Sequence, residues 1–112
     1  MTQTHDTPTA MLERLEQVIA QRAHASPEAS YVARLHAKGL GKIAQKLGEE
    51  GVETVIAALT ESREALIGEA ADLVFHLLVL LSAKGVALAE ITGELARREG
   101  LSGLAEKAAR GQ

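Results

Sequence analysis

Apolar residues recur every three or four positions through most of the chain, the period of amphipathic helices, and polar linkers separate the stretches. Met11, Leu12, Leu15, Val18 and Ile19 make the first apolar face. It follows Thr7-Pro8, which suits an N-cap with proline at the first helical position. That helix is expected to fade near His24, because Ala25-Ser26-Pro27-Glu28 reads as a linker. Ser30 is placed to cap a short helix carrying Tyr31, Val32 and Leu35, and Gly39 and Gly41 predict a turn or kink after it. A strong helix is expected over about 42–59, then a corner at Thr60-Glu61-Ser62. A further helix is expected over about 63–84, ended by Gly85, and another over about 88–99, ended by Gly100. The expected organisation is a disordered or loosely held segment at 1–7, one domain at 8–100 and a tail at 101–112.

Composition turns this pattern into a fold class. The 46% hydrophobic content comes mainly from 20 Ala and 16 Leu, with only 12 Val and Ile, one Phe, one Tyr and no Trp. Ala and Leu favour helices, whereas strands favour β-branched and aromatic side chains, so an all-α fold of four to five helices is expected. A net charge of −3 disfavours nucleic-acid binding. The absence of cysteine excludes a disulfide scaffold, a thiolate nucleophile and a cysteine zinc site. No basic-then-apolar segment opens the sequence, so no signal peptide is expected. The longest apolar run, 73–81, is interrupted by His76 and is short of the roughly 20 residues of a membrane span. A cytoplasmic chain with neither nucleic acid nor membrane as partner is the expectation.

The chemistry lies in acidic residues of two successive helices. At about 100° per residue, Lys42, Lys46, Glu49, Glu50 and Glu53 share roughly a 100° arc, opposite Leu40, Ala44, Leu47, Val55 and Leu59. Taken alone this is an amphipathic helix with a solvated charged face, its lysines pairing with glutamates along the surface. The next helix changes that balance. Glu69, Asp72 and His76 share about 60° of its wheel, while 73–81 is apolar all round, which is the mark of a buried helix. Carboxylates on such a helix are costly unless paired or bound to a metal. The short corner makes the two helices antiparallel neighbours, so Glu50 and Glu53 can face Glu69 and Asp72. A divalent cation would relieve the repulsion, and hard oxygen donors without thiolates point to Mg²⁺, with Mn²⁺ as a substitute. The structural alternatives stay open: Glu69 favouring a helix start, Asp72 paired by a lysine, and His76 a satisfied core histidine. A di-iron bundle is disfavoured, because its Glu-x-x-His pairs are absent.

Glu49-Glu50-Gly51-Val52-Glu53 followed by Glu69-Ala70-Ala71-Asp72 has the form E-E-x-x-E…E-x-x-D. It resembles the metal-binding signature of the MazG-like all-α nucleoside triphosphate pyrophosphohydrolases. The segments 30–35, 42–50 and 70–81, with Ser30-Tyr31, the Lys42/Lys46 pair and His76, narrow the resemblance to the phosphoribosyl-ATP pyrophosphatase family. It covers about residues 10–99. The resemblance implies Mg²⁺-dependent hydrolysis of phosphoribosyl-ATP to phosphoribosyl-AMP and pyrophosphate, the second step of histidine biosynthesis, by a MazG-like helical bundle completed by homodimerisation. Carried over, Glu50, Glu53, Glu69 and Asp72 would be metal ligands, and Glu49 a fifth ligand or the base that orients water, a catalytic role shared with Glu50. Lys42 and Lys46 are placed to meet phosphate oxygens or to pair with Glu49 and Glu50, with Arg34 and Lys38 as further substrate-binding candidates. Tyr31 is a stacking, hydrogen-bonding or core residue. Gly51 departs from the family, where Ala is expected. No cyclohydrolase segment precedes the domain, so a stand-alone enzyme is the expectation. Two other functions compete: a house-cleaning pyrophosphohydrolase of ordinary or damaged nucleoside triphosphates, and a non-catalytic helical adaptor with an acidic binding face.

Overall fold

The computed structural model describes residues 6–99, 107, 110 and 111 of the chain. Among them are five helices and no strand, so the fold is all-α: α1 (Pro8–Arg22), α2 (Tyr31–Lys38), α3 (Leu40–Thr60), α4 (Arg63–Ala83) and α5 (Leu88–Glu99). The end expected at Gly100, nearly all of the 101–112 tail and most of the 1–7 segment lie outside the described residues.

Side-chain caps start three of these helices. Thr7, Ser30 and Ser62 accept hydrogen bonds from the backbone N–H of Ala10, Ala33 and Ala65 at 3.0, 3.2 and 3.1 Å. Each cap satisfies one of the donors that a helix start leaves open. The break expected around Gly39 and Gly41 falls at Gly39 alone, whose φ of 100° favours glycine. Gly41 continues into α3, which begins two residues before the expected Lys42. Helix α5 is capped from within and from outside: its own Glu90 accepts from the N–H of Ala87 at 3.0 Å, and Glu16 on α1 accepts from the N–H of Leu88 at 2.7 Å, tying the last helix to the first.

The core is small. Ile19, Val32, Leu35, Ile43, Leu78 and Val79 form it, with Leu12, Leu15, Phe75, Leu80, Leu81 and Leu88 packed around. The two-residue corner Glu61-Ser62 folds α4 back along α3, making the antiparallel hairpin the sequence predicts.

Two expectations are corrected here. The acidic arc of α3 is only in part its solvated face: Glu49 and Glu53 are exposed but Glu50 is only 7% exposed, while Val55 and Leu59 of the apolar arc are 58% and 78% exposed. Nor is α4 buried all round, because only His76, Leu78 and Val79 on it are buried and Ile67, Val74 and Leu77 are exposed. The reason is geometric: α1 to α3 cover one side of α4 and leave the other open. By length and composition alone α4 could cross a membrane, a weak indication since it carries Glu69 and Asp72.

Candidate metal centre and its surrounding cations

Glu50 sits midway along α3, and Glu69 and Asp72 lie one turn apart on α4. The hairpin brings one carboxylate oxygen from each of the three to within 4.8 Å of the others. Thr54 fixes the two backbones at this level. Its hydroxyl lies 2.7 Å from the Glu50 carbonyl and 3.1 Å from the Glu69 carbonyl, so one O–H bridges both helices. Gly51 lies beside this contact; a Cβ there would meet Leu73 Cδ1 at 3.9 Å, ordinary van der Waals contact.

The electrostatics of the cluster are unresolved by protein groups. Glu50 Oε1 and Glu69 Oε1 are buried with no hydrogen-bond partner. Burial, first, and then a hydrogen bond shared with the Glu53 carboxylate and the charges of Glu53, Glu50 and Asp72 push the Glu69 carboxyl above its ordinary value. Orphaned buried carboxylate oxygens are rare, and several converging ones are rarer. This donor set, all hard oxygens with no sulfur, fits a divalent cation such as Mg²⁺ or Mn²⁺.

The structure gathers some sequence candidates and separates others. Glu50, Glu69 and Asp72 converge, and Glu53 reaches Glu69 from the exposed edge. Glu49 points elsewhere: it accepts from Gln45 Nε2 at 2.8 Å and lies 3.5 Å from Lys46 Nζ. Gln45 first, with Lys46 and Lys42, holds its carboxyl below the ordinary value against the opposing effect of burial. Lys46 is half-buried, and its ammonium is held above its usual value first by Tyr31, then by Glu49 and Glu50, with burial opposing. Lys42 is half-buried on the first turn of α3, and Lys38 is exposed at the end of α2. Arg34 is exposed; its Nη1 donates to the Pro27 carbonyl at 3.2 Å and its guanidinium carbon sits 5.8 Å from the Tyr31 ring centroid.

Two features were not read from the sequence. One is the Thr54 bridge. The other joins Tyr31, 45 residues away in sequence, to His76: the phenol oxygen lies 2.8 Å from His76 Nε2. Of the open readings for His76, the structure supports a buried, hydrogen-bonded histidine, 5% exposed. No spacing rule joins Tyr31 to His76, although both stood in the segments that carried the family resemblance.

The comparisons identify the family. The phosphoribosyl-ATP pyrophosphohydrolase family profile matches residues 12–99, which hold every carboxylate and cation named above. The phosphoribosyl-ATP pyrophosphatase of Novosphingobium aromaticivorans is 68% identical over 100 residues, covering 89% of this chain and 94% of the relative. That of Erythrobacter litoralis is 67% identical over 100 residues, covering 89% and 96%. That of Rhizorhabdus wittichii is 63% identical over 102 residues, covering 91% and 96%. The match spans most of the chain and nearly the full length of these relatives, and the chain belongs to the phosphoribosyl-ATP pyrophosphohydrolase family.

Proposed function

We propose that this chain hydrolyses phosphoribosyl-ATP to phosphoribosyl-AMP and pyrophosphate, in the second step of histidine biosynthesis, at the Glu50–Glu69–Asp72 cluster with Mg²⁺. The observation that carries the site is the pair of buried, unpartnered oxygens on Glu50 and Glu69 with Asp72 beside them. Glu50, Glu53, Glu69 and Asp72 would hold the ion, Glu53 from the exposed edge. When bound, a divalent cation would neutralise the cluster and supply Lewis-acid assistance to the hydrolysis.

The remaining work belongs to the chain's own side chains. Lys46 and Lys42, on the turns of α3 preceding Glu50, neutralise the non-bridging oxygens of the triphosphate. Arg34 and Lys38 on α2 meet the phosphate of the second ribose. Glu49, ionised and fixed by Gln45 and Lys46, is the carboxylate available to orient water and accept its proton at an Oε atom. A location in the cytoplasm and action on a small molecule accompany this reading.

The assembly is a homodimer. Eight hydrophobic residues are buried in the described chain, whereas eleven large ones are exposed, so a lone copy leaves out more than it covers. The exposed residues include Val52, Val55, Ile56 and Leu59 on α3 and Ile67, Val74 and Leu77 on α4. A patch of this kind is the surface a second copy would bury.

The test is pyrophosphate release from phosphoribosyl-ATP beside a panel of ordinary nucleoside triphosphates, with Mg²⁺ and with a chelator. Preference for phosphoribosyl-ATP and loss of activity on chelation are expected. Comparable turnover of the whole panel would transfer the site to the house-cleaning reaction, and chelator-resistant activity would remove the cation from the cluster.

A further inference from the structure

His76 is the one histidine of the described chain that is buried and hydrogen-bonded on both ring nitrogens. Its Nδ1 lies 2.7 Å from the backbone carbonyl of Asp72, one turn earlier on α4. A carbonyl only accepts, so Nδ1 carries the proton and donates it. In the neutral ring Nε2 then bears a lone pair, and the Tyr31 hydroxyl 2.8 Å away donates to it. The chain of bonds therefore runs from the Tyr31 O–H, through the imidazole, to the Asp72 carbonyl.

Packing holds this chain rigid. Phe75 stacks on Tyr31 with ring centroids 6.2 Å apart and meets His76 edge-on at 5.2 Å. Tyr31 is the first residue of α2, immediately after the Ser30 cap, and its ring carries the Arg34 guanidinium. With its proton committed to His76, the phenol oxygen presents only lone pairs outward.

We infer that Tyr31 and His76 are a positioning pair, whose hydrogen bond sets the start of α2, and Arg34 on it, at a fixed distance from the Asp72 turn of α4. Without that bond Arg34 and Lys38 on α2 and the carboxylates Glu69 and Asp72 on α4 stand on separate helices. With it, one rigid unit presents both. A substrate gripped at its phosphate chain by one set and at its ribose phosphate by the other needs their separation fixed beforehand. Misplacement by about 1 Å is costly in reactions that depend on positioning. This inference rests on the proposed activity toward phosphoribosyl-ATP.

The test uses Tyr31→Phe, His76→Leu, their double variant and His76→Gln in the full-length protein. Tyr31→Phe keeps the ring under Arg34 and against Phe75 and removes only the donor. It is expected to raise KM for phosphoribosyl-ATP about fivefold to tenfold, with kcat changed less, and to lower the melting temperature by no more than the few degrees that one neutral hydrogen bond is worth. His76→Leu should do the same, and the double variant should be no worse than the weaker single one. His76→Gln, which keeps an acceptor near the Nε2 position, should recover most of the affinity. Imidazole ¹⁵N spectra give a readout apart from activity: Nδ1 protonated, Nε2 unprotonated, and the Nε2 resonance displaced in Tyr31→Phe. Additive losses, an unchanged KM, or an Nε2-protonated ring in the native protein would each overturn the inference. A wild-type chain inactive on phosphoribosyl-ATP would instead overturn the proposed function, while the spectra still judge the pair.

Discussion

The α3–α4 hairpin has two faces whose burial runs against their chemistry. On one, Glu50 is buried, Glu69 is half-buried and two of their oxygens lack partners. On the other, Val55, Leu59, Ile67 and Val74 stand in solvent. In a finished assembly carboxylates face water and aliphatic residues face one another. The inversion is informative because the two faces lack different things. The acidic face wants positive charge at close range, and the apolar face wants apolar surface. A cation supplies the first and a second copy of the chain the second, so the hairpin is half of two separate interactions. Thr54 is the hinge of the comparison, holding the backbones together at the level where one face gives way to the other.

The largest effects should come from the acidic face. Glu50→Gln or Asp72→Asn keeps shape and removes one charge, and is expected to lower kcat/KM by at least about a hundredfold, since a bound cation contributes several kcal/mol of transition-state stabilisation. The variants should remain folded, because neither side chain contributes to the apolar core. Circular dichroism alongside the pyrophosphate assay separates the cases: an unfolded variant would make the cluster structural. The apolar face comes next. Leu59→Asp with Val55→Asp should abolish self-association in sedimentation at micromolar concentration, since each aliphatic side chain is worth roughly 1.5–3 kcal/mol when buried. A native protein that already sediments as a monomer would break this half of the comparison.

What could be read in the sequence follows the range of the forces involved. The caps at Thr7 and Ser30 were legible because a cap is a bond across three residues, written in the local order of the chain, whereas Ser62 was read only as part of a corner. The helices and the all-α class followed from periodicity and composition. Glu50, Glu69 and Asp72 were legible as a group because a short corner leaves two helices only one way to lie together. The direction in which α3 faces was not. An amphipathic wheel marks two sides, and deciding which points inward presumes that everything needed to cover the apolar side is in the same chain. Glu49, equivalent to Glu50 on the wheel within 100°, differs because Gln45 and Lys46 claim it laterally. The Tyr31–His76 bond spans 45 residues, and no local rule anticipates it.

The acidic face also makes a prediction about pH. Burial and neighbouring carboxylates raise the Glu69 carboxyl above its unfolded value, so the apo fold binds the proton more tightly than the unfolded chain does. Stability then falls as pH rises through that raised value and recovers on acidification. Without metal, Glu69→Gln should melt higher than the native chain at pH 7.5, and the difference should shrink toward pH 4. Adding Mg²⁺ at neutral pH should reverse the order, because the native chain gains from binding and the variant does not. Scanning calorimetry at several pH values with and without Mg²⁺ checks this. A variant that melts lower than native without metal at neutral pH would mean that the cluster is already satisfied within the chain.

The smallest expected effect lies on the seam between the faces. Gly51 is one position on from Glu50 and about 100° round the helix, in the middle of α3. Glycine inside a helix costs roughly 0.5–1 kcal/mol relative to alanine, through the backbone freedom it gives up on folding. Space does not demand it here, since the added methyl would touch only Leu73 Cδ1 at 3.9 Å. Gly51→Ala should therefore stabilise the fold by about 0.5–1 kcal/mol, a rise of a few degrees in melting temperature for a domain of this size. Every carboxylate stays in place, so kcat/KM should change less than about twofold. The two measurements together are diagnostic. Stabilisation with unchanged turnover makes the glycine neutral to function. Stabilisation with a clear loss of kcat would mean that the acidic face must move relative to the apolar one during turnover, with Gly51 supplying the freedom. Destabilisation would mean that the helices approach more closely at Leu73 than the 3.9 Å contact allows.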